Sequence, residues 1–182
     1  MRIISGKYKG RHFDVPRTFK ARPTTDFAKE NLFNILNNII DFEECKALDL
    51  FSGTGSISLE LLSRGCKEVT SIEMDNLHVT FLRKSSEKLG DSNWRIVKDD
   101  VLRFLKRCTH RYDIIFADPP YAMKELREIP DMVLQGEILR EGGIFVFEHG
   151  KDYSFETHPY FFRHTSYGSV NFSFFRKESK EQ

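Results

Sequence analysis

Hydrophobic positions along this chain change period several times, and the changes mark out its elements. Residues 47–51 form a short apolar run of strand type, and similar runs recur at 69–73, 94–97, 113–117 and 144–147. Between them apolar residues fall at helical spacing, near 57–63, 77–89 and 101–108, and a further helical region is broken at Pro130. Strands alternating with helices predict an α/β fold with a parallel sheet covered on both faces. After Glu148 the pattern changes: residues 161–167 and 170–176, split by Gly168-Ser169, read as a hairpin, so an antiparallel edge is expected. Ahead of the first strand, Ala28, Leu32, Ile35, Leu36 and Ile39 recur at helical spacing over about 27–40, with Thr24, Thr25 and Asp26 offering N-cap oxygens. Residues 2–5 and 12–15 read as short strands of a β-hairpin around Gly6-Lys7-Tyr8-Lys9-Gly10, and 16–23 as a linker.

A chain of 182 residues suits one domain with a substantial core. Hydrophobic residues at 40% and charged residues at 30% fit a soluble globular protein. No apolar run approaches the roughly 18 residues that cross a bilayer, and the N-terminus lacks the h-region of a secretory signal. Cys45, Cys66 and Cys108 are scattered, with no C-x-x-C pair. Reduced thiols, a cytoplasmic location and no zinc site are therefore expected. Charge is uneven. Residues 1–22 hold seven basic side chains and one acid, a local balance of +6 against −5 for the remainder. Such an arm fits a polyanionic partner, or else a solvated lysine-rich surface. Tyr8, among the basic residues, offers a ring for a base.

Candidate chemistry lies where strands end. Asp49-Leu50-Phe51-Ser52-Gly53-Thr54-Gly55-Ser56 spans the first strand-to-helix turn, where glycines let a ligand approach and a helix N-terminus favours a negative group. A dinucleotide fingerprint would place a third glycine at Ser58, and Asp49 would sit awkwardly beside a pyrophosphate, so a nicotinamide dehydrogenase is disfavoured. The acid suits a ligand with a cationic end. Glu73, followed by Met74, ends the second strand where an acid bonds ribose hydroxyls, and Asp99-Asp100, followed by Val101, ends the third. Three acids at successive strand ends describe a site for an adenosine joined to a cationic amino acid, which is S-adenosylmethionine. The cofactor set is Asp49, Ser52, Gly53, Thr54, Gly55, Glu73, Met74, Asp100 and Val101.

The fourth strand ends in Asp118-Pro119-Pro120-Tyr121. Proline fixes its own φ and holds the preceding residue extended, so Asp118 and the Pro119 carbonyl are stiffly presented. Two acceptors and the flat face of Tyr121 fit an exocyclic amine on a heterocycle. A strand that merely stops at a Pro-Pro turn fits the four residues equally well. His149 reads as a strand-end turn residue.

Residues 49–56, Glu73, Asp100 and Asp118-Pro119-Pro120-Tyr121 resemble the class I methyltransferases that act on exocyclic amines. Arg22-Pro23-Thr24-Thr25-Asp26, Glu30-Asn31-Leu32-Phe33-Asn34, Arg2-Ile3-Ile4-Ser5-Gly6 and Lys9-Gly10-Arg11 are similar to the ribosomal small-subunit methyltransferase D family, over nearly the whole chain. The resemblance implies a Rossmann-like, mostly parallel twisted sheet with a C-terminal antiparallel hairpin, preceded by a small hairpin and helix. It further implies methylation of guanine N2 in 16S rRNA, with the small ribosomal subunit or an assembly intermediate as partner and a monomeric enzyme. Asp118, Pro119, Pro120 and Tyr121 would be catalytic, and Arg2, Lys7, Tyr8, Lys9 and Arg11 would bind RNA. Arg22 and Thr24 would close over the methionine end of the cofactor, although Thr24 serves equally well as a helix cap. Two departures stand out. Phe27-Ala28-Lys29 replaces an arginine-rich turn, which changes a possible RNA contact, and Ser52-Gly53-Thr54-Gly55 replaces A-G-S-G while keeping both glycines. Rival readings are an adenine-N6 DNA methyltransferase, for which the chain has no room for a sizeable target-recognition domain, and a non-catalytic RNA-binding assembly factor.

Overall fold

In the computed structural model, residues 1–20 and 23–178 are described. Seven strands form one sheet, in the order β3-β2-β1-β4-β5-β7-β6. They are β1 (Lys46–Leu50), β2 (Glu68–Glu73), β3 (Trp94–Lys98), β4 (Tyr112–Ala117), β5 (Leu139–His149), β6 (Phe161–Tyr167) and β7 (Val170–Arg176). The first five are parallel, and β7 and β6 close the edge antiparallel. The helices are α1 (Asp26–Asn37), α2 (Ser56–Ser63), α3 (Asn76–Leu89), α4 (Val101–Arg107) and α5 (Ile129–Leu134). Pro130 opens α5 rather than breaking it, since a helix's first turn has no use for the missing N–H. No described helix is long and apolar enough to cross a membrane.

Strand alternation sorts side chains onto two faces. Ala47, Ile114, Phe116, Ile144, Val146 and Phe174 pack under α1, α2 and α3, whereas Leu48, Ile115, Ala117, Phe145 and Phe147 pack under α4 and α5. Continued past the apolar run, the first parity carries Asp49, Glu73, Asp118 and Glu148. Four strand-end acids therefore share the α1–α3 side of the sheet. Strand order reverses between β1 and β4, the switch point at which open α/β sheets bind ligands.

The N-terminal segment differs from a regular hairpin: it is closed by a single antiparallel bridge, Arg2 to His12, with Ile3 N donating to the Arg11 carbonyl at 3.0 Å. The backbone N–H groups of Ile4, Ser5, Lys7 and Tyr8 are spent instead on α2. Glu60, fully buried, accepts from Ile4 N at 2.9 Å, Ser5 N at 3.0 Å and Arg64 Nε at 3.0 Å. Lys29, also buried, donates to the Arg2 carbonyl at 2.7 Å and to Ser56 Oγ at 3.1 Å. Gly6 takes a left-handed φ of +88°, and a Cβ there would sit 2.0 Å from the Ser63 carbonyl oxygen. Only glycine lets the segment lie this close to α2.

Candidate active site

The β1–α2 turn is built to stay open. Phe51 holds φ +60°, an outlier for a bulky residue of the kind that clusters at ligand sites. Gly55 follows at φ +77°, and a Cβ on it would strike Leu82 Cδ2 at 2.6 Å. Ser52 Oγ donates to the Asp49 carbonyl at 2.8 Å, and Gly55 N donates to the Ser52 carbonyl at 2.8 Å. Thr54 is buried within the turn. No side chain caps α2 behind Gly55. The first N–H groups of that helix are thus available to a carboxylate at the mouth of the sheet.

Asp49 lies beneath this turn, buried, and accepts from Ser58 Oγ at 2.5 Å. Ser58 lies 2.6 Å from Ser71 Oγ, which accepts from Trp94 Nε1 at 2.7 Å. The Ser58 position that departs from a dinucleotide fingerprint therefore holds the Asp49 carboxyl. Burial pushes Asp49 up to about 7; Ser58 opposes this, and the Asp118 charge adds to it. Glu73 closes the adjacent wall. Its Oε2 accepts from Gly53 N at 2.8 Å, and its Oε1 from Met74 N and Asp75 N, each at 2.9 Å. Met74 itself is exposed beside it. Asp100 caps α4, accepting from Arg103 N at 3.0 Å, with Val101 buried behind it. Asp99 is engaged by Arg103 and Arg107 and faces away from this role.

Asp118 follows β4 directly and is partly exposed. Pro119 is buried, and among the described residues no donor meets its carbonyl oxygen, whereas the Pro120 carbonyl accepts from Met123 N at 2.9 Å. Tyr121 leaves 47% of its surface exposed and lies over Gly150, where a Cβ would be 3.6 Å from the ring. Burial pushes its hydroxyl up to about 12, with Glu148 and Asp118 adding to the effect. Asp118 stands beside Glu148, the penultimate residue of β5, on the same face of the sheet. Burial raises Asp118 to about 7 and Glu148 to about 9. Glu148 was not among the residues singled out by motif. Its signal was the one that marked Asp49, Glu73 and Asp118: an acid ending an apolar strand.

Thr25, not Thr24, caps α1, accepting from Ala28 N at 3.2 Å, which leaves the Thr24 side chain free of that task. Arg22 lies outside the described residues. Lys29 belongs to the buried anchor of the N-terminal segment, so of the departing Phe27-Ala28-Lys29 turn only Phe27 reaches the surface, where it meets Tyr167 edge-on at 5.7 Å. Three basic residues of the N-terminal arm are engaged within the protein. Arg2 pairs with Asp26 at 2.6 Å, Lys7 with Asp91 at 3.0 Å, and Arg11 Nη1 donates to the Leu89 carbonyl at 3.1 Å. Tyr8 donates to Asp91 at 2.7 Å, and both Lys7 and Arg11 lie over its ring. Lys9 is exposed. His149 is buried between Ser173 and the Gly150 carbonyl, a packed strand residue.

With this geometry in view, comparison with known proteins is informative. The family model "Conserved hypothetical protein 95" matches residues 1–176. The ribosomal RNA small subunit methyltransferase D of Escherichia coli is 34% identical over 159 residues, 87% of this chain and 79% of that one. The solved structure of Escherichia coli yhhF, named provisionally as a methyltransferase, superposes with a TM-score of 0.86 at 30% identity, covering 99% of each chain. The Thermus thermophilus 16S rRNA N2 G1207 methyltransferase, described in complex with AdoMet and guanosine, shares the fold with a TM-score of 0.69 at 22% identity, covering 88% of this chain and 45% of that one. The sheet is that of the class I methyltransferases, and the chain belongs to the ribosomal RNA small subunit methyltransferase D family.

Proposed function

We propose that the protein transfers a methyl group from S-adenosylmethionine to the exocyclic N2 amine of a guanine in 16S rRNA, carried by the small ribosomal subunit or an assembly intermediate. The observation that carries this reading is the meeting, at the β1/β4 switch point, of the Asp118 carboxyl, the donor-free Pro119 carbonyl and the Tyr121 face beside an acid-lined mouth. The names of the relatives support the RNA class.

The residues present fit the cofactor. The uncapped start of α2 would receive its carboxylate, Glu73 its ribose hydroxyls, and Asp100 with the Val101 backbone its adenine edge, beside the exposed Met74. Asp49 and Asp118, both raised by burial, would regain their charge beside a cation. Bound there, S-adenosylmethionine supplies a methyl carbon on positively charged sulfur.

Asp118 and the Pro119 carbonyl each accept one N–H of the target amine, which aims its lone pair at the methyl carbon. Tyr121 stacks on the base and fixes its plane. The surplus N2 proton of the methylated amine would pass to the Asp118 carboxylate, the donor leaving as the neutral thioether. A target drawn from a duplex must first be unstacked, at about a few kcal/mol. Labelled methyl transfer to naked 16S rRNA, to assembled small subunits and to DNA, followed by nucleoside analysis, tests the reading. N2-methylguanosine in the RNA is expected, and methyladenine in DNA overturns it.

A further inference from the structure

Glu148 has a group that nothing among the described residues satisfies. The residue is 6% exposed, it stands beside Asp118 on the neighbouring strand, and its Oε2 has no hydrogen-bond partner among the described residues. Strand register explains the placement: Phe147 on β5 is level with Ala117 on β4, so Glu148 stands level with Asp118 one step beyond. Tyr121 lies close by, its ring over Gly150. A buried carboxylate oxygen without a donor is costly, and such an atom beside an amine-presenting acid is satisfied by a donor that the ligand brings.

Bases differ in what stands beside their exocyclic amine. Guanine carries N1–H, a second donor, next to N2. Adenine carries the acceptor N1 next to N6, and cytosine the acceptor N3 next to N4. Two adjacent carboxyls match two adjacent donors. We propose that Glu148 is a specificity-determining residue that accepts the N1–H of the target guanine while Asp118 accepts from N2. This rests on the guanine-N2 reading above and explains how an Asp-Pro-Pro-Tyr end shared with other amine chemistry would select guanine. A proton retained by the two neighbouring carboxyls keeps the site from holding two bare charges. The donors of an incoming guanine replace it.

The test uses RNA carrying guanine or 2-aminopurine at the target position. 2-Aminopurine keeps the 2-amine and lacks N1–H. The wild-type protein is expected to prefer guanine by at least about a hundredfold in kcat/KM, since sites built around a hydrogen bond reject analogues lacking it. Glu148→Gln, nearly isosteric and able to present an N–H to the bare ring nitrogen, is expected to cut that preference by at least about tenfold. Its affinity for a cofactor analogue and its unfolding midpoint check that the site is intact. Binding of the two RNAs, read without turnover from 2-aminopurine fluorescence and competition, is expected to show the same discrimination. Equal use of both bases by the wild type overturns the role of Glu148 and leaves the guanine-N2 reading standing, and that comparison needs no variant. A preference unchanged in a folded Glu148→Gln also overturns it. Absence of N2-methylguanosine with the wild type removes both.

Discussion

Asp118 and Glu148 stand level with each other across the ends of two neighbouring parallel strands, on the same face of the sheet. Two acids in one poorly solvated place cannot both ionise cheaply, so the pair retains a proton well above the usual carboxylate range. Burial is the main cause at both residues, and it places Asp118 at about 7 and Glu148 at about 9.

Opposite pH trends in stability and activity follow from that pair. The folded state binds a proton that the unfolded chain releases near pH 4 to 5, so the empty protein loses stability as pH rises through the neutral range toward 9. Asp49, raised to about 7, adds to the decline. Methyl transfer requires the ionised form, so kcat/KM is expected to rise with pH across the same range. Denaturant titrations at pH 5, 7 and 9 and a pH–rate profile measure both, and Glu148→Gln is expected to flatten the stability slope. A flat slope in the wild type would contradict the shared proton.

Asp118→Ala is expected to abolish turnover while affinity for S-adenosylmethionine changes little, because in the proposed site the cofactor would be held chiefly by α2, Glu73 and Asp100. Calorimetry with the cofactor and labelled methyl transfer separate the two effects. Tyr121→Ala, at an exposed ring, is expected to weaken binding of the base by about 1–3 kcal/mol with the fold intact.

Much of this site was legible from residue types. An acid or an Asp-Pro-Pro-Tyr end closing an apolar run places chemistry at the mouth of a parallel sheet, and Glu73, Asp100 and Asp118 sit at the ends of strands as read. The hairpin at 161–167 and 170–176 was legible for the same reason, an apolar run split by a Gly-Ser turn. What pattern could not show was pairing in space. Glu148 joins Asp118 only because β5 lies beside β4, although 30 residues separate them in the chain. Lys29, which sequence places only within a departure that bears on RNA contact, is buried because the Arg2 carbonyl, Ser56 and Glu60 surround it. The N-terminal arm shows the same limit: its basic residues suggest a polyanionic partner, and pattern alone does not show that Lys7, Tyr8 and Arg11 are also committed to Asp91 and the Leu89 carbonyl.

Glu60→Ala tests how that arm is held. The substitution leaves Ile4 N, Ser5 N and Arg64 Nε without their acceptor and strands a buried Lys29 ammonium. Loss of one partner from a buried charged cluster costs about 3–5 kcal/mol. Urea unfolding is expected to show that loss, and early proteolysis near residue 10 is expected to follow the arm's release. Glu60→Gln keeps acceptor capacity on one oxygen and is expected to lose less.

Lys9 separates RNA contact from folding. It is exposed, while its neighbours Lys7 and Tyr8 hold Asp91 beneath α3. Each phosphate neutralised contributes roughly 0.7–0.9 to the slope of log affinity against log salt. Lys9→Ala is therefore expected to lower the RNA-binding slope by about one contact and leave the unfolding midpoint where it was. Lys7→Ala is expected to change both, because it also removes the ion pair to a buried aspartate. Equal, salt-independent losses from the two variants would show that the arm acts on RNA only through the fold, and would move the electrostatic contact elsewhere on the protein.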